Sequence, residues 1–542
     1  MRSRGPATRQ CINVSPRRGT KTAITRLENK EGFVMNMTPA REDGKARLAC
    51  ELYFGKDITD KITSTLHRSR LTYDSLLEDF MDYDRTHVPR ISDPDAQIIY
   101  KCVLQSIKDD LGNVKLSPLT YQQVRDLPDF PGAKSPGLPY KNLGFTKKSD
   151  VYDDPIYREH LTNLWRNIGH GKNVKLPDVC MFARAQVAKA PKNKIRATWG
   201  YSFDVYMEEA RFFYPIQEFI KSHKHNLPIA YGLEMANGGM VAINDMLQRH
   251  RNSKYVISDW SKFDKTIPPW LIRDAFEILE GLIDFSAVHR SAHEKRRFKK
   301  LVDYFVETPI RTCKGERFLV TGGVPSGSCF TNIIDSIINC IVTRFLVFQT
   351  TNAFPVGEIF LGDDGVFIVD GFACLEDIAS LAIKYFGMIL NVDKSYVTTN
   401  PSNVHFLGYF NYSGYPFKNQ DFLIASFIFP EHKRTRLVDA CAAALGQMYS
   451  GFDPGYARNW LNIIHYLADL ENSNPFSLNE VVLHLKNNEF RHKYLAQVGI
   501  SADSMTLPSR ANSQILEVLP KTYCNITLPS RAYDFKDILS RI

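Results

Sequence analysis

The sequence has no CxxC pair among its ten cysteines, no GxxxxGK[ST] loop and no HExxH. The first absence argues against a zinc ribbon or a disulfide scaffold and fits reduced thiols. The other two remove the most familiar ATPase and zinc-protease signatures. The start, MRSRGPATRQ, carries no apolar h-region and so does not read as a signal peptide. The longest apolar stretch, TNIIDSIINCIVTRFLVF, is interrupted by Asp335, Asn339 and Arg344, so the expectation is a soluble chain with no membrane partner. Neither sign of charge dominates: 68 basic against 59 acidic residues leave +9, which favours a polyanionic partner without defining one.

What is present is globular. With 542 residues, 44% hydrophobic and 12% aromatic, the chain can form several packed units or one multi-lobed enzyme. Residues 1–30 carry Arg2, Arg4, Arg9, Arg17, Arg18, Lys21, Arg26 and Lys30 with few large apolar groups, and read as a mobile basic arm, a segment ordered only by its partners, or a solvated tail. From residue 254 the pattern sharpens. KYVISDWSKFD reads as a strand ending in polar residues, PPWLIRDAFEILEGLIDF and HEKRRFKKLVDYFVE as helices, and FLVTGGVPSGS as a strand and glycine-rich loop. FTNIIDSIINCIVTRFLVF then reads as a long helix, LEDIASLAIKYFG as an amphipathic helix ending at Gly387, and VHFLGYFN as a strand or hairpin. This order suggests an α+β unit with an antiparallel sheet backed by helices, followed by a helical region beyond about 430. TLPSRA occurs twice, at 506–511 and 527–532, too few copies for a solenoid.

In EIFLGDDGVFIVDG two adjacent carboxylates interrupt two apolar strands, with Asp363, Asp364 and Gly365 expected in the hairpin turn. A plain turn would explain them, but SDWSKFD supplies a second acidic cluster, with Asp259 at a strand end and Asp264 five residues on. Phosphoryl transfer from a nucleoside triphosphate requires divalent ions that bridge and neutralise phosphate oxygens. Magnesium takes oxygen ligands and usually only one or two protein carboxylates. Asp259, Asp363 and Asp364 would supply that set.

These residues resemble the palm of viral RNA-dependent RNA polymerases: DWSKFD is similar to motif A, PSGSCFTNIID to motif B and GDD to motif C. The resemblance implies a right-hand fold of fingers, palm and thumb, with Asp259, Asp363 and Asp364 as catalytic ligands of two Mg²⁺ ions, Mn²⁺ being a substitute. It further implies that Asp264, where DNA-making relatives place an aromatic gate, accepts the ribose 2′-OH. Ser326 and Gly327 would form the loop at the nascent pair, Gly327 facing template. Thr331 with Asp335 or Asn339 would complete the ribose network; many relatives carry Asn where this chain has Asp335. ARAQVAKAPKNKIRATWG resembles motif F, so Arg184, Lys189, Lys194 and Arg196 are expected at the triphosphate. KSPGLPY resembles motif G, with Ser135, Gly137 and Pro139 guiding template. Lys394 matches the motif D lysine, a candidate general acid for leaving pyrophosphate, and HFLGYF is similar to motif E.

The implied organisation is a basic arm over 1–50, fingers over 51–253, a palm over 254–420 with a fingers insertion near 286–320, and a helical thumb and tail over 421–542. The wording between motifs is most similar to polymerases of double-stranded RNA viruses of the partitivirus type, with picobirnaviruses next. The partners implied are template and product RNA, NTPs and a viral capsid protein, for a monomeric enzyme inside the virion or in host cytoplasm. Two rivals stand beside this reading. A reverse transcriptase shares the palm but not Asp264, and a non-enzymatic RNA-packaging protein has no need of converging acids.

Overall fold

The computed structural model describes residues 22–37, 41–235, 238–451, 453–471, 476–486, 526–529 and 533–542. Its centre is a four-stranded antiparallel sheet in the order Gly357–Leu361, Asp364–Val369, Lys254–Ser258, Tyr396–Thr398. Alternation along these strands sends side chains to two different cores. Val256, Phe367 and Val369 pack with Val347, whereas Tyr255, Ile257, Val366 and Ile368 join a core shared with Met240, Met246 and the C-terminal helices.

Behind the first face runs the helix Thr331–Thr351, the core helix, packed on Pro94–Leu111, Pro269–Glu280 and Leu375–Phe386. It is buried on every side from Ile333 to Phe348, which explains a sequence apolar all round rather than in one stripe. By length and composition it could cross a membrane, yet 89% of its apolar window is buried inside the protein. Its one fully enclosed cation, Arg344, bonds Glu358 at 3.1 Å and Asp110 at 2.7 Å, and Tyr533 of the returning C-terminal segment closes the cluster.

A second sheet has the order Ile24–Leu27, Arg317–Thr321, Glu307–Arg311, Val179–Ala185, Ile195–Gly200. It joins residues 307–321 to the early part of the chain. For residues 24–27 it also corrects the reading of the basic segment as a mobile arm. Ile24–Leu27 pairs antiparallel with Arg317–Val320, and Gly44–Tyr53 is a helix whose Ala46, Ala49 and Cys50 are buried beneath the C-terminal helices. Arg2 to Lys21 lie outside the described residues, as does the first TLPSRA copy. Helices Asp421–Ile428, Leu437–Gly451, Pro454–Asp469 and Leu478–Lys486 form the expected helical end.

Candidate active site

The acidic hairpin differs from expectation by one residue. Leu361 pairs with Asp364, so Gly362 and Asp363 form the turn, while Asp364 and Gly365 begin the returning strand. Gly362 has φ of 62°, and glycine at the first central position is the pattern of a type II′ hairpin turn. Gly365 is pinned in the strand opposite Ser258; a Cβ there would meet the Phe360 ring at 2.8 Å. The register places Asp364 next in line opposite Asp259, on the neighbouring strand.

Two side chains of the core helix clamp this turn, and neither role was visible in the sequence. Ser336 Oγ accepts the Gly362 N–H at 2.7 Å. Asn339 Nδ2 donates toward the carbonyls of Gly362 (3.1 Å), Asp363 (3.0 Å) and Asp364 (3.3 Å), while its Oδ1 accepts from Trp260 Nε1 at 3.2 Å. Asn339 is fully buried and its amide is committed to the hairpin, against the expectation that it completes a ribose network. Thr331 is likewise turned to structure, donating to the Pro325 carbonyl at 2.5 Å.

Asp259 is held by its backbone. Its N–H donates to Ser395 Oγ at 2.9 Å and its carbonyl accepts the Asn391 N–H at 2.8 Å. The turn between those residues carries Lys394, so the two expected catalytic groups sit on one tethered unit.

Desolvation and the charges of Asp363 and Asp259 push Asp364 up to about 7. Asp363 is exposed at the turn yet has protein packed around it on most sides, and this desolvation raises it also, against the pull of Arg196 and Lys194. Lys194 is lowered, first by desolvation and then by the charges of Arg196 and Lys394. These effects put Lys194 within electrostatic reach of Arg196, Lys394, Asp259 and Asp363, and Arg196 within reach of Asp363 and Asp264, so basic groups lie near the acidic ones.

Asp264 and Asp335 form a hydrogen-bonded pair of carboxyls. Burial and the charge of Asp363 push Asp264 to about 6. Burial and the charge of Asp264 raise Asp335 well above the carboxylate range. Of the two, Asp335 is raised further, so a proton shared between them favours Asp335 as the donor and Asp264 as the acceptor.

Elsewhere the expected residues divide. Arg184 and Arg196 are cross-strand partners, and Arg184 also faces Glu431 at 3.9 Å. Lys189 is exposed where Val187–Lys189 pairs with Leu66–Arg68, and among the described residues no contact ties it to the acids. Ser326 and Gly327 are exposed on the loop before the core helix. Gly327 is required by a close approach: a Cβ would stand 1.5 Å from the Trp199 carbonyl oxygen. Ser135 and Pro139 are accessible, but Gly137 is buried, with space for no Cβ beside the Tyr201 carbonyl at 2.7 Å, so it shapes its loop rather than facing template.

Among the described residues no group of three or more His, Cys, Asp or Glu stands ready to hold a metal ion by itself. The charge of Asp259 raises the proton affinity of both Asp363 and Asp364, and that of Asp363 raises Asp364 further, as neighbouring like charges do. Their all-oxygen chemistry suits a hard divalent ion whose remaining positions come from water and substrate.

A sheet carrying an acidic hairpin beside an acidic strand end, faced by a basic strand and closed by a helical lobe, defines the class: a right-hand nucleic-acid polymerase fold. Among solved structures, the RNA-dependent RNA polymerase of a human picobirnavirus aligns with TM-score 0.62 at 15% identity, covering 85% of this chain and 90% of that one. A sicinivirus 3Dpol polymerase aligns with TM-score 0.64 at 14% identity, covering 88% and 99%. The profile of the viral RNA-dependent RNA polymerase family matches residues 56–415, and the chain belongs to that family. Curated relatives named RNA-directed RNA polymerase include those of Atkinsonella hypoxylon virus, 26% identical over 57% of this chain and 52% of that protein. Those of Cryptosporidium parvum virus 1 (27%, covering 50% and 50%) and White clover cryptic virus 1 (24%, covering 53% and 51%) are similar. The matched region spans about half the length of these relatives, and the lineage agrees with the partitivirus-type reading of the sequence.

Proposed function

We propose that this chain copies RNA from NTPs on an RNA template. The observation that carries the reading is the nearness of Lys194 and Arg196, Asp259, Asp363 and Lys394, from four separated parts of the sequence, with the Asp264–Asp335 pair beside them. Residues 254–420 act as palm, 51–253 with 286–320 as fingers, and 421–542 as thumb and tail.

In the reaction the primer or nascent 3′-oxygen attacks the α-phosphorus of an incoming NTP, a P–O bond forms, and the bond to pyrophosphate breaks. Asp259, Asp363 and Asp364 would hold two Mg²⁺ ions, with Mn²⁺ as substitute, which supply charge neutralisation at the phosphates and ease loss of the hydroxyl proton. Arg196 and Lys194 draw the triphosphate to the opposite wall, arginine through paired donors and lysine as a point charge. Lys394 is placed to give a proton to departing pyrophosphate. Ionised Asp264, supported by Asp335, accepts the ribose 2′-OH and so favours ribonucleotides. A reverse transcriptase is disfavoured by that acceptor, and an RNA-packaging protein by a carboxylate cluster that repels RNA.

Replication and transcription in association with a capsid protein, within the particle or host cytoplasm, fit the lineage. Purified protein with single-stranded RNA, four NTPs and Mg²⁺ should yield complementary RNA, and Asp363→Ala should abolish it. Equal incorporation by both proteins would overturn the reading.

A further inference from the structure

The helix Tyr73–Met81 and its flanks touch the basic strand, the residues around Asp264 and the loop before the core helix, although nothing in its sequence announces a role. Ser69 Oγ accepts the Lys194 N–H at 2.8 Å, and Asp79 Oδ2 accepts the Ala197 N–H at 2.7 Å, so the two grips flank Arg196. Ile195–Gly200 is the edge of its sheet, where an amide would otherwise lack a strand partner. The other oxygen of the same carboxylate, Asp79 Oδ1, accepts from Lys265 Nζ at 2.6 Å, and the Asp79 carbonyl accepts from it at 2.9 Å. Lys265 directly follows Asp264. Asp79 thus ties the residue after Arg196 to the residue after Asp264 through one side chain.

Neighbouring contacts extend the bracket. Lys262 pairs with Asp82 at 2.9 Å, and Tyr83 donates to the Val324 carbonyl at 3.2 Å in the loop before the core helix. The helix itself is anchored without the carboxylate: Leu76, Phe80 and Tyr83 are buried, and both aromatic rings pack on Trp199. Asp79 is therefore surplus to docking. Its side chain is 18% exposed and that of Lys265 14%, so the charge-assisted bond is largely shielded from solvent.

We propose that Asp79 is a positioning residue that fixes the spacing between the basic strand and Asp264, and thereby sets NTP affinity and the preference for ribose. The proposal rests on the polymerase reading above. Without the carboxylate, Lys265 is left with Asp82, 3.6 Å away, the Ala197 amide loses its acceptor, and Arg196 and Asp264 are no longer referred to one another. Asp79→Asn keeps an acceptor for the amide but removes the charge that holds Lys265.

The test compares wild type, Asp79→Ala and Asp79→Asn in single-nucleotide extension, measuring KM and kcat for an NTP and its 2′-deoxy analogue, with melting temperature alongside. The expected result for Asp79→Ala is a KM for NTP raised on the order of tenfold, the scale of one charge-assisted hydrogen bond. Ribose preference should fall by a similar factor with little change in melting, and Asp79→Asn should lie between. Unchanged KM and ribose preference, or a loss confined to kcat and melting temperature, would overturn the proposal. If the alanine variant does not fold, the asparagine variant carries the same readout. A wild type without RNA synthesis overturns the polymerase reading itself, a result distinct from an active wild type matched by its Asp79 variants.

Discussion

Truncating Asn339 to alanine should loosen the acidic hairpin without touching a catalytic oxygen. The amide has two N–H groups spread over three carbonyls at 3.0–3.3 Å, and its oxygen takes the Trp260 indole at 3.2 Å and the Thr343 hydroxyl at 3.3 Å. Leaving a buried donor or acceptor unsatisfied costs about 1–3 kcal/mol. Trp260 is only 7% exposed, so its indole N–H bears that cost nearly in full. The Asp363 and Asp364 carbonyls are only partly buried, so water replaces part of what they lose. Together these give about 3 kcal/mol, or on the order of a hundredfold in the ratio of clamped to open hairpin. Hydrogen exchange at the amides of residues 362–365 reads that ratio directly, and nucleotide incorporation reads its consequence. Protection should fall roughly a hundredfold, with kcat falling alongside and NTP KM moving less. Exchange and incorporation indistinguishable from wild type would refute the idea that Asn339 holds the turn.

Three further outcomes follow from the same geometry. Asp335→Asn should keep ribose preference because it keeps a donor to Asp264; wild-type preference should weaken at alkaline pH where Asp335 ionises, while the variant stays flat, and a wild-type profile as flat as the variant's would contradict the proton assignment. Glu209 is buried with its carboxylate accepting from Ser328, and desolvation pushes it up to about 8. A carboxylate raised in the fold loses stability as pH climbs from its unfolded value toward its folded one. Glu209→Gln should therefore gain in melting temperature over wild type between about pH 4.5 and 8, the gap levelling above 8; a constant gap would refute the burial argument. Gly327→Ala would force a methyl to within 1.5 Å of the Trp199 carbonyl, so this loop must move; we expect a loss of incorporation and a lowered melting temperature, and normal values for both would show that the approach is not required.

The sequence made the chemistry legible wherever local pattern and chemistry coincide. The strand ending at Asp259, the apolar strands around Asp363 and Asp364, the long helix from Thr331 and the basic strands carrying Arg184 and Arg196 all stand where their periodicity implied. The hairpin turn was placed one residue late because Asp-Gly and Gly-Asp are both turn-like locally; burial of Gly365 against Phe360 and Ser258 decides the register. Ser336, Ser395 and Asn339 escaped as clamps because a single polar side chain bonded to a distant backbone leaves no spacing signature. Asp79 and the Ile24–Leu27 strand escaped for the same reason on a larger scale, since their partners lie more than a hundred positions away. The reading of Gly137 as a template contact failed because a Pro-Gly loop looks the same whether it faces solvent or packs on Tyr201.

The central claim is that Asp259, Asp363 and Asp364, drawn from strands far apart in sequence, serve common divalent ions. Crystals grown with Mn²⁺ and an NTP and measured at the manganese absorption edge test it most directly. The account predicts anomalous peaks between these three carboxylates and the triphosphate. Peaks bound elsewhere, or an NTP seated away from Lys194 and Arg196 with no manganese at the hairpin, would contradict it.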